Sequence, residues 1–283
     1  MVIESLMNPF KAEKKPWEMF FVGLVYSSIG ILLSIWVFRE ASSLVMVFLT
    51  VMACVPILYS TMRLEEGKDM EIKSERRLIK EHNKAIFFFM FLFAGITVSC
   101  ALWYTFLPAN YTSIVFEKQS QTIDSINNLV SGSAPGQFTI FSKIFFNNIK
   151  VLAFATLFSF IYGAGAIFIL TWNASVIGTA IGRFAKASIG SVAGSFGFTN
   201  VAAYFQTFSA GILRYAIHGI PEVMAYFYGG LAGGIISVAI VNHHYESEKF
   251  SRILFDASDL LIISIIFLFI AALLEVFVTP MLF

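Results

Sequence analysis

The chain contains few charged residues. Only 13% of its 283 residues are charged and 58% are hydrophobic, whereas a soluble domain usually carries about 25% charged residues. The net charge of +1 provides no basic face, which argues against a nucleic acid as partner. Phenylalanine occurs 32 times, more than a water-exposed fold could hide. The composition therefore indicates a polytopic membrane protein.

Signatures of reaction chemistry are also lacking. The two cysteines, Cys54 and Cys100, both lie inside apolar runs, which predicts buried packing rather than a redox role. The sequence contains no HExxH zinc motif, phosphate loop, nucleophile elbow or CxxC pair. His243 and His244 stand near two glutamates, but such a tail is typical of a solvated helix flank. We expect no enzymatic activity, no cofactor and no resident metal.

Long apolar runs are what the chain does contain. An α-helix needs roughly 20 apolar residues to cross the hydrocarbon of a bilayer. The candidate spans are Met19–Phe38, Ser43–Tyr59, Ala85–Pro108, Val151–Trp172, Pro221–Val241 and Leu260–Val278. Between Asn173 and Ile217 the irregular pattern predicts one full span and one broken or re-entrant piece. The expected fold is an all-α polytopic transmembrane bundle with about seven crossings.

The distribution of lysine and arginine predicts the orientation. Residues 1–18 carry three lysines and residues 61–84 carry seven lysines and arginines, so both are expected in the cytoplasm. The expected localisation is the cell membrane, with the N-terminus cytoplasmic and the C-terminus outside. Residues 1–84 are predicted to form a two-helix hairpin with a charged cytoplasmic loop. Residues 85–283 are predicted to form the main membrane domain.

An outer amphipathic segment is predicted at residues 109–148. Within it, Phe116, Ile123, Ile126 and Val130 share one helical face. Such a helix can pack over the bundle, lie on the outer leaflet or offer a surface to a partner, and the sequence leaves these alternatives open.

Glycines recur at a spacing of four residues. In lipid, close backbone approach through small faces supplies much of the association energy between helices. The glycines with this spacing that we assign to helix packing are Gly178, Gly182, Gly229, Gly230, Gly233 and Gly234. They predict seams between helices, either within one chain or between two copies. Lys186 continues the spacing of Gly178 and Gly182 and is expected in a cavity or at a membrane boundary.

The stretch HGIPE, residues 218–222, has two explanations. Pro221 suits the first position of a helix and Glu222 its first turn, where the helix dipole favours a carboxylate. Alternatively, ionisable residues at membrane depth are usually paired or functional. On that ground we hypothesise an outer-leaflet polar cluster of Arg214, His218, Glu222 and Glu275.

The order of three motifs resembles the stage II sporulation protein M (SpoIIM-like) family of integral membrane proteins. The motifs are FFNNIKVLAFATLFSFIYGAGAIFIL, then TWNASVIGTAIG, then HGIPEVMAYFYGGLAGG. The matching residues include Asn147, Asn148, Asn173, Gly178, His218, Gly219 and Glu222. The likeness covers about residues 85–280, whereas residues 1–84 are an addition to the shorter sporulation form.

This resemblance implies a membrane scaffold. In spore-formers the family member is a non-catalytic anchor that recruits peptidoglycan-degrading partners during engulfment. The expected function is therefore a scaffold or assembly factor, with membrane lipid, other membrane or envelope proteins and a second copy of the chain as partners. The intramembrane charges favour an alternative, a transporter or channel with a polar site near Arg214, His218, Glu222 and Glu275.

Overall fold

The protein is a bundle of long helices. The computed structural model describes residues 15–72, 74–130, 136–163, 165–192, 198–244 and 250–282. All regular structure in these ranges is helical, and seven of the helices are long and apolar enough to cross a membrane. The predicted all-α polytopic bundle is confirmed.

The helices follow one another with short connections. In chain order they are α1 (Glu18–Val37), α2 (Ser42–Glu71), α3 (Glu75–Phe106), α4 (Ala109–Val115), α5 (Glu117–Val130), α6 (Gln137–Tyr162), α7 (Ala166–Val192), α8 (Phe198–Val241) and α9 (Phe250–Leu273). A π-helical turn, Leu274–Val278, and a short α10, Thr279–Leu282, follow α9. The candidate spans belong to α1, α2, α3, α6, α7, α8 and α9.

Helices α4 and α5 together form what we call the platform. They connect the end of α3 to the start of α6, and we call the membrane side on which they lie the platform side. In the predicted orientation this side faces the outside of the cell. The charged ends of α2 and α3 lie on the opposite side.

Several pairs of neighbouring spans run parallel, among them α8 with α6 and α7 with α3. Gly229 and Gly233 of α8 lie against successively later residues of α6, first Leu152 and then Phe160. Gly178 and Gly182 of α7 likewise meet Thr97 and then Tyr104 of α3. Because parallel neighbours cannot be joined by a simple hairpin, each pair is brought together by a span that runs the other way.

The predicted span Val151–Trp172 is wrong. Helix α6 ends at Tyr162, and Gly163 has φ +72°, a left-handed conformation that glycine adopts at helix ends. The chain then reverses and begins α7 at Ala166. Hydropathy misses this turn because the residues on both sides of it are apolar.

The region between Asn173 and Ile217 also differs from the expectation. Helix α7 supplies a crossing, and residues from Phe198 onward belong to α8, which continues without interruption through Pro221. Pro221 is therefore not the first residue of its helix, and the explanation of HGIPE as a helix start is wrong. The described residues give no sign of a re-entrant segment.

The expected charged loop at residues 61–84 is largely helical. Helix α2 continues to Glu71 and α3 begins at Glu75, so the connection between them is short. Several charged side chains of this segment lie inside the bundle rather than in water, with Glu65 0% and His82 1% exposed. The spacing of Glu65 and Asp69 explains this, since residues four apart share a helix face.

Candidate functional site

The glycines of α8 lie where helices meet. A methyl group added at Gly230 would lie 2.8 Å from Cβ of Ala166, and one at Gly234 would lie 2.7 Å from the carbonyl oxygen of Gly163. At Gly233 the obstacle is the carbonyl oxygen of Thr156 in α6. All of these neighbours belong to the same chain, so the seams that they form are internal to the protein.

The glycines of α7 make a second seam, with α3. A methyl group at Gly178 would lie 2.6 Å from the carbonyl oxygen of Thr97, and one at Gly182 would lie 2.6 Å from Cβ of Tyr104. Gly219 differs, because nothing lies within 4 Å of a methyl group placed there. A third seam, between Gly23 of α1 and Gly95 of α3, was missed by sequence reasoning.

Two acidic residues of the hypothesised polar cluster lie near each other. The hydroxyl group of Tyr226 donates a hydrogen bond of 2.8 Å to Oε1 of Glu222, and Glu275 is near enough to Tyr226 and Glu222 for their charges to interact. His218 is half-buried one turn before Glu222, and the side chain of Arg214 lies outside the described residues. We call Glu222, Tyr226 and Glu275 the carboxylate pair site.

Both helices that carry these acids are irregular at this point. Pro221 has no N–H to donate to the carbonyl group of Ile217, so α8 loses one helical hydrogen bond beside Glu222. Glu275 lies in the π turn, where the N–H of Thr279 bonds the carbonyl oxygen of Leu274. Such turns occur frequently at functional sites. Each of the two acids therefore lies where the regular hydrogen bonding of its α-helix is interrupted.

The carboxylate pair site lies inside the candidate spans rather than at their ends. Gly229 packs against Leu152 and Thr156 of the parallel helix α6, and Glu222 precedes Gly229 by about 10 Å along α8. This register puts Glu222 near the level of Asn147, within the span that ends at Tyr162. Like charges repel more strongly in a low-dielectric environment than in water.

The asparagines of the family motif take different positions. Asn148 is buried, with 6% exposed, whereas the neighbouring Asn147 is exposed on the outer surface of α6. Asn173 is half-buried in α7. These three residues therefore do not form one site.

Lys186 fastens the platform to the bundle. Its ammonium group donates to the carbonyl oxygens of Leu107 at 2.6 Å and Tyr104 at 3.3 Å, and to Oγ1 of Thr112 at 3.1 Å. The first two acceptors are at the end of α3, where a cation also interacts favourably with the helix dipole. Lys186 therefore lies at the platform-side end of α3, joining α7, α3 and α4.

Further contacts hold α5 in place. The buried amide of Gln119 donates to the carbonyl oxygen of Ser43 at 3.1 Å and to Oγ of Ser175 at 3.3 Å. On the surface, Arg183 pairs with Asp124 at 2.6 Å, and this guanidinium group holds the pKa of Asp124 below its usual range. Phe116, 0% exposed, packs at the junction of α4 and α5. The platform is thus built into the bundle.

Replacing Lys186 with Met should lower the free energy of unfolding by about 1.5–3 kcal/mol, because charge-assisted hydrogen bonds at the end of α3 are lost. Urea unfolding in detergent micelles measures this change. The matched control is Lys118→Met, at an exposed position of the platform, for which we expect less than about 0.5 kcal/mol. Equal effects of the two substitutions would contradict the anchoring role of Lys186.

A second group of ionisable residues lies at the opposite side. Nδ1 of His82 is 2.7 Å from Oε2 of Glu65, and its Nε2 is 3.0 Å from Oδ1 of Asp69. Both carboxylates and the imidazole are at most 1% exposed. Only the contact with Glu65 has hydrogen-bond geometry, since Nε2 of His82 and both carboxylate oxygens of Asp69 have no hydrogen-bond partner among the described residues. His82 is thus buried between two carboxylates, hydrogen-bonded to Glu65 and within ion-pair distance of Asp69.

This group extends to α8 and α9. Glu66 is 3% exposed and is hydrogen-bonded to Nδ1 of His244, just after α8. Asp256 of α9 is near enough to Asp69 and His82 for their charges to interact. We call Glu65, Glu66, Asp69, His82, His244 and Asp256 the acid–histidine cluster. It joins α2 and α3 to the last two spans.

Sequence reasoning missed the acid–histidine cluster. The abundance of lysine and arginine in residues 61–84 indicated a solvated segment, and His244 was assigned to a solvated tail. The available signal was the continuation of one helical face from Leu58 through Met62 to Glu65 and Asp69, at spacings of three and four residues. Because Leu58 and Met62 are buried, Glu65 and Asp69 on the same face of α2 are buried as well.

These features define a class, a polytopic α-helical membrane protein with ionisable groups enclosed in its bundle. The family model described as stage II sporulation protein M matches residues 84–280, more than half of the chain. The chain belongs to this family. No curated protein and no solved structure shows a significant match. Among the described residues, no three His, Cys, Asp or Glu side chains are arranged to hold a metal ion.

Proposed function

We propose that the protein is a non-catalytic membrane scaffold that presents the platform to envelope or membrane proteins. The observation that carries this proposal is the anchoring of the platform by buried polar contacts, from Lys186 and Gln119. Burying an amide and capping a helix with an ammonium group fixes the platform in one position. A partner protein can bind a surface whose polar groups stay in one arrangement without first having to order them.

The interior of the bundle supports the same function. Large aromatic side chains fill it, with the rings of Phe89 and Phe227 stacked at 5.3 Å and Phe88 0% exposed. These residues lie between the carboxylate pair site and the acid–histidine cluster. A tightly packed apolar layer between two polar groups suits a rigid support.

The exposed face of α5 is the surface offered to a partner. Lys118, Gln121 and Ser125 are all exposed on α5, while Gln119 on its other face is buried. A photo-crosslinking amino acid placed at Lys118 or Gln121 in cells should give discrete protein adducts. The matched control is Leu157, which is exposed on the lipid-facing surface of α6 and should give lipid adducts alone.

A second candidate function, a transporter or channel, is favoured by the carboxylate pair site. Intramembrane acids on irregular helices are typical of substrate and ion sites. Purified protein in liposomes distinguishes the two functions. Ion or solute flux that is lost in Glu222→Gln but kept in Asp124→Asn, together with no protein adducts at α5, would overturn the scaffold.

A further inference from the structure

Three polar side chains form a stripe on the outside of the bundle. Lys143, Asn147 and Lys150 of α6 follow one another at spacings of four and three residues, and all three are exposed. Residues at these spacings lie above one another on one helix face, about 5–6 Å apart. We call these three residues the α6 stripe.

The α6 stripe has no counter-charge within the described part of the chain. Neither lysine takes part in an ion pair, and α6 itself contains no acidic residue. Lys68 and Arg183 differ, since Lys68 pairs with Glu65 and Arg183 pairs with Asp124. The two lysines therefore offer uncompensated positive charge to whatever surrounds the bundle.

The depth of the α6 stripe along its helix makes its uncompensated positive charge unusual. Tyr162 is 69% exposed at the end of α6 and is the kind of residue that marks a membrane interface. Lys150 lies about 18 Å from it along the helix and Lys143 about 28 Å. In a hydrocarbon layer of about 30 Å, Lys150 is thus past the middle and Lys143 is near the platform-side boundary.

An ammonium group facing hydrocarbon costs several kcal/mol unless it reaches the interface or meets an anion. Lys150 can direct its long side chain toward the platform side, where Asn147 and Lys143 lie. This brings two ammonium groups and one amide to the same region, all of them hydrogen-bond donors. A second copy docked through the same face would oppose lysine with lysine.

We propose that the α6 stripe binds the phosphate headgroup of an anionic phospholipid from the platform-side leaflet. The phosphate oxygens accept hydrogen bonds from Lys143, Asn147 and Lys150 and neutralise the two ammonium groups. The acyl chains lie along the exposed aromatic side chains of Phe146 and Phe154, which are 62% and 57% exposed. This site is independent of the scaffold function.

The test uses the full chain in nanodiscs of phosphatidylcholine with increasing phosphatidylglycerol, and native mass spectrometry counts the retained phosphatidylglycerol. The double variant Lys143→Gln/Lys150→Gln should bind phosphatidylglycerol at least tenfold more weakly. The matched control, Lys84→Gln/Lys118→Gln, removes two exposed lysines outside the stripe and should bind as the unaltered protein does. Lys143→Arg/Lys150→Arg should also retain binding.

Two results would overturn the proposal. One is equal retention of phosphatidylglycerol by Lys143→Gln/Lys150→Gln, with the unaltered thermal unfolding temperature showing that this variant folds. The other is a photo-crosslinker at Asn147 that reacts in cells with an acidic membrane helix of another protein rather than with lipid. The second result would identify the stripe as a protein interface.

Discussion

Replacing His82 with Ala is expected to lower the free energy of unfolding by about 3–5 kcal/mol. The substitution leaves the carboxylates of Glu65 and Asp69 buried without the imidazole that lies between them, while Lys68 still pairs with Glu65. Removing one partner of a buried ion pair is costly because the remaining charge has lost its water. Urea unfolding in detergent micelles measures the change.

The control for this prediction is Lys84→Ala. Lys84 also forms an ion pair on α3, with Glu81, but is half-exposed, so its loss should cost less than about 1 kcal/mol. A second substitution, Asp69→Asn, should restore part of the stability when combined with His82→Ala, since it removes a stranded charge. If the effects of Asp69→Asn and His82→Ala were simply additive, the charge-based account of the acid–histidine cluster would be wrong.

The second large effect is expected at Gly233. A methyl group at this position meets the carbonyl oxygen of Thr156 and lies 3.0 Å from the amide nitrogen of Phe160. Both atoms belong to the backbone of α6, so the helices themselves must separate. Gly233→Ala should cost about 1–3 kcal/mol, and Gly233→Leu should prevent stable folding, as measured by unfolding in micelles and by size-exclusion chromatography.

Gly219 provides the control on the same helix. Since no atom of the described residues beyond the adjoining turns of α8 lies within 4 Å of a methyl group placed there, Gly219→Ala should be neutral or should stabilise α8 by up to about 1 kcal/mol through helix propensity. A loss of stability at Gly219 equal to that at Gly233 would show that helix packing does not explain the glycine pattern.

The fold class could be predicted because it depends on composition. Apolar runs of the length of a bilayer allow few structures other than helices, since every backbone polar group must be paired within the membrane. Helix ends were harder to predict. Gly163 ends a helix through its backbone conformation, and Pro221 continues one although it cannot donate a hydrogen bond, and both positions lie in equally apolar sequence.

The carboxylate pair site could be predicted in part from the sequence. Glu222 and Glu275 could be singled out because isolated charges in apolar runs are conspicuous, whereas Tyr226, which donates to Glu222, looked like one more aromatic residue. The acid–histidine cluster was hidden for the opposite reason. Its members stand among so many other charges that nothing in residues 61–84 separates Glu65 and His82 from solvated neighbours such as Lys84.

The parallel packing of α6 and α8 has a consequence for biosynthesis. When α6 leaves the ribosome, the helix against which Leu152 and Thr156 pack does not yet exist. The nascent chain must insert α7 and complete α8 through Gly233 before these surfaces can join. Until then, the face of α6 that carries Leu152 and Thr156 is exposed to lipid or to an insertion factor. A pause in translation before residue 233 lengthens the time for which this face is exposed.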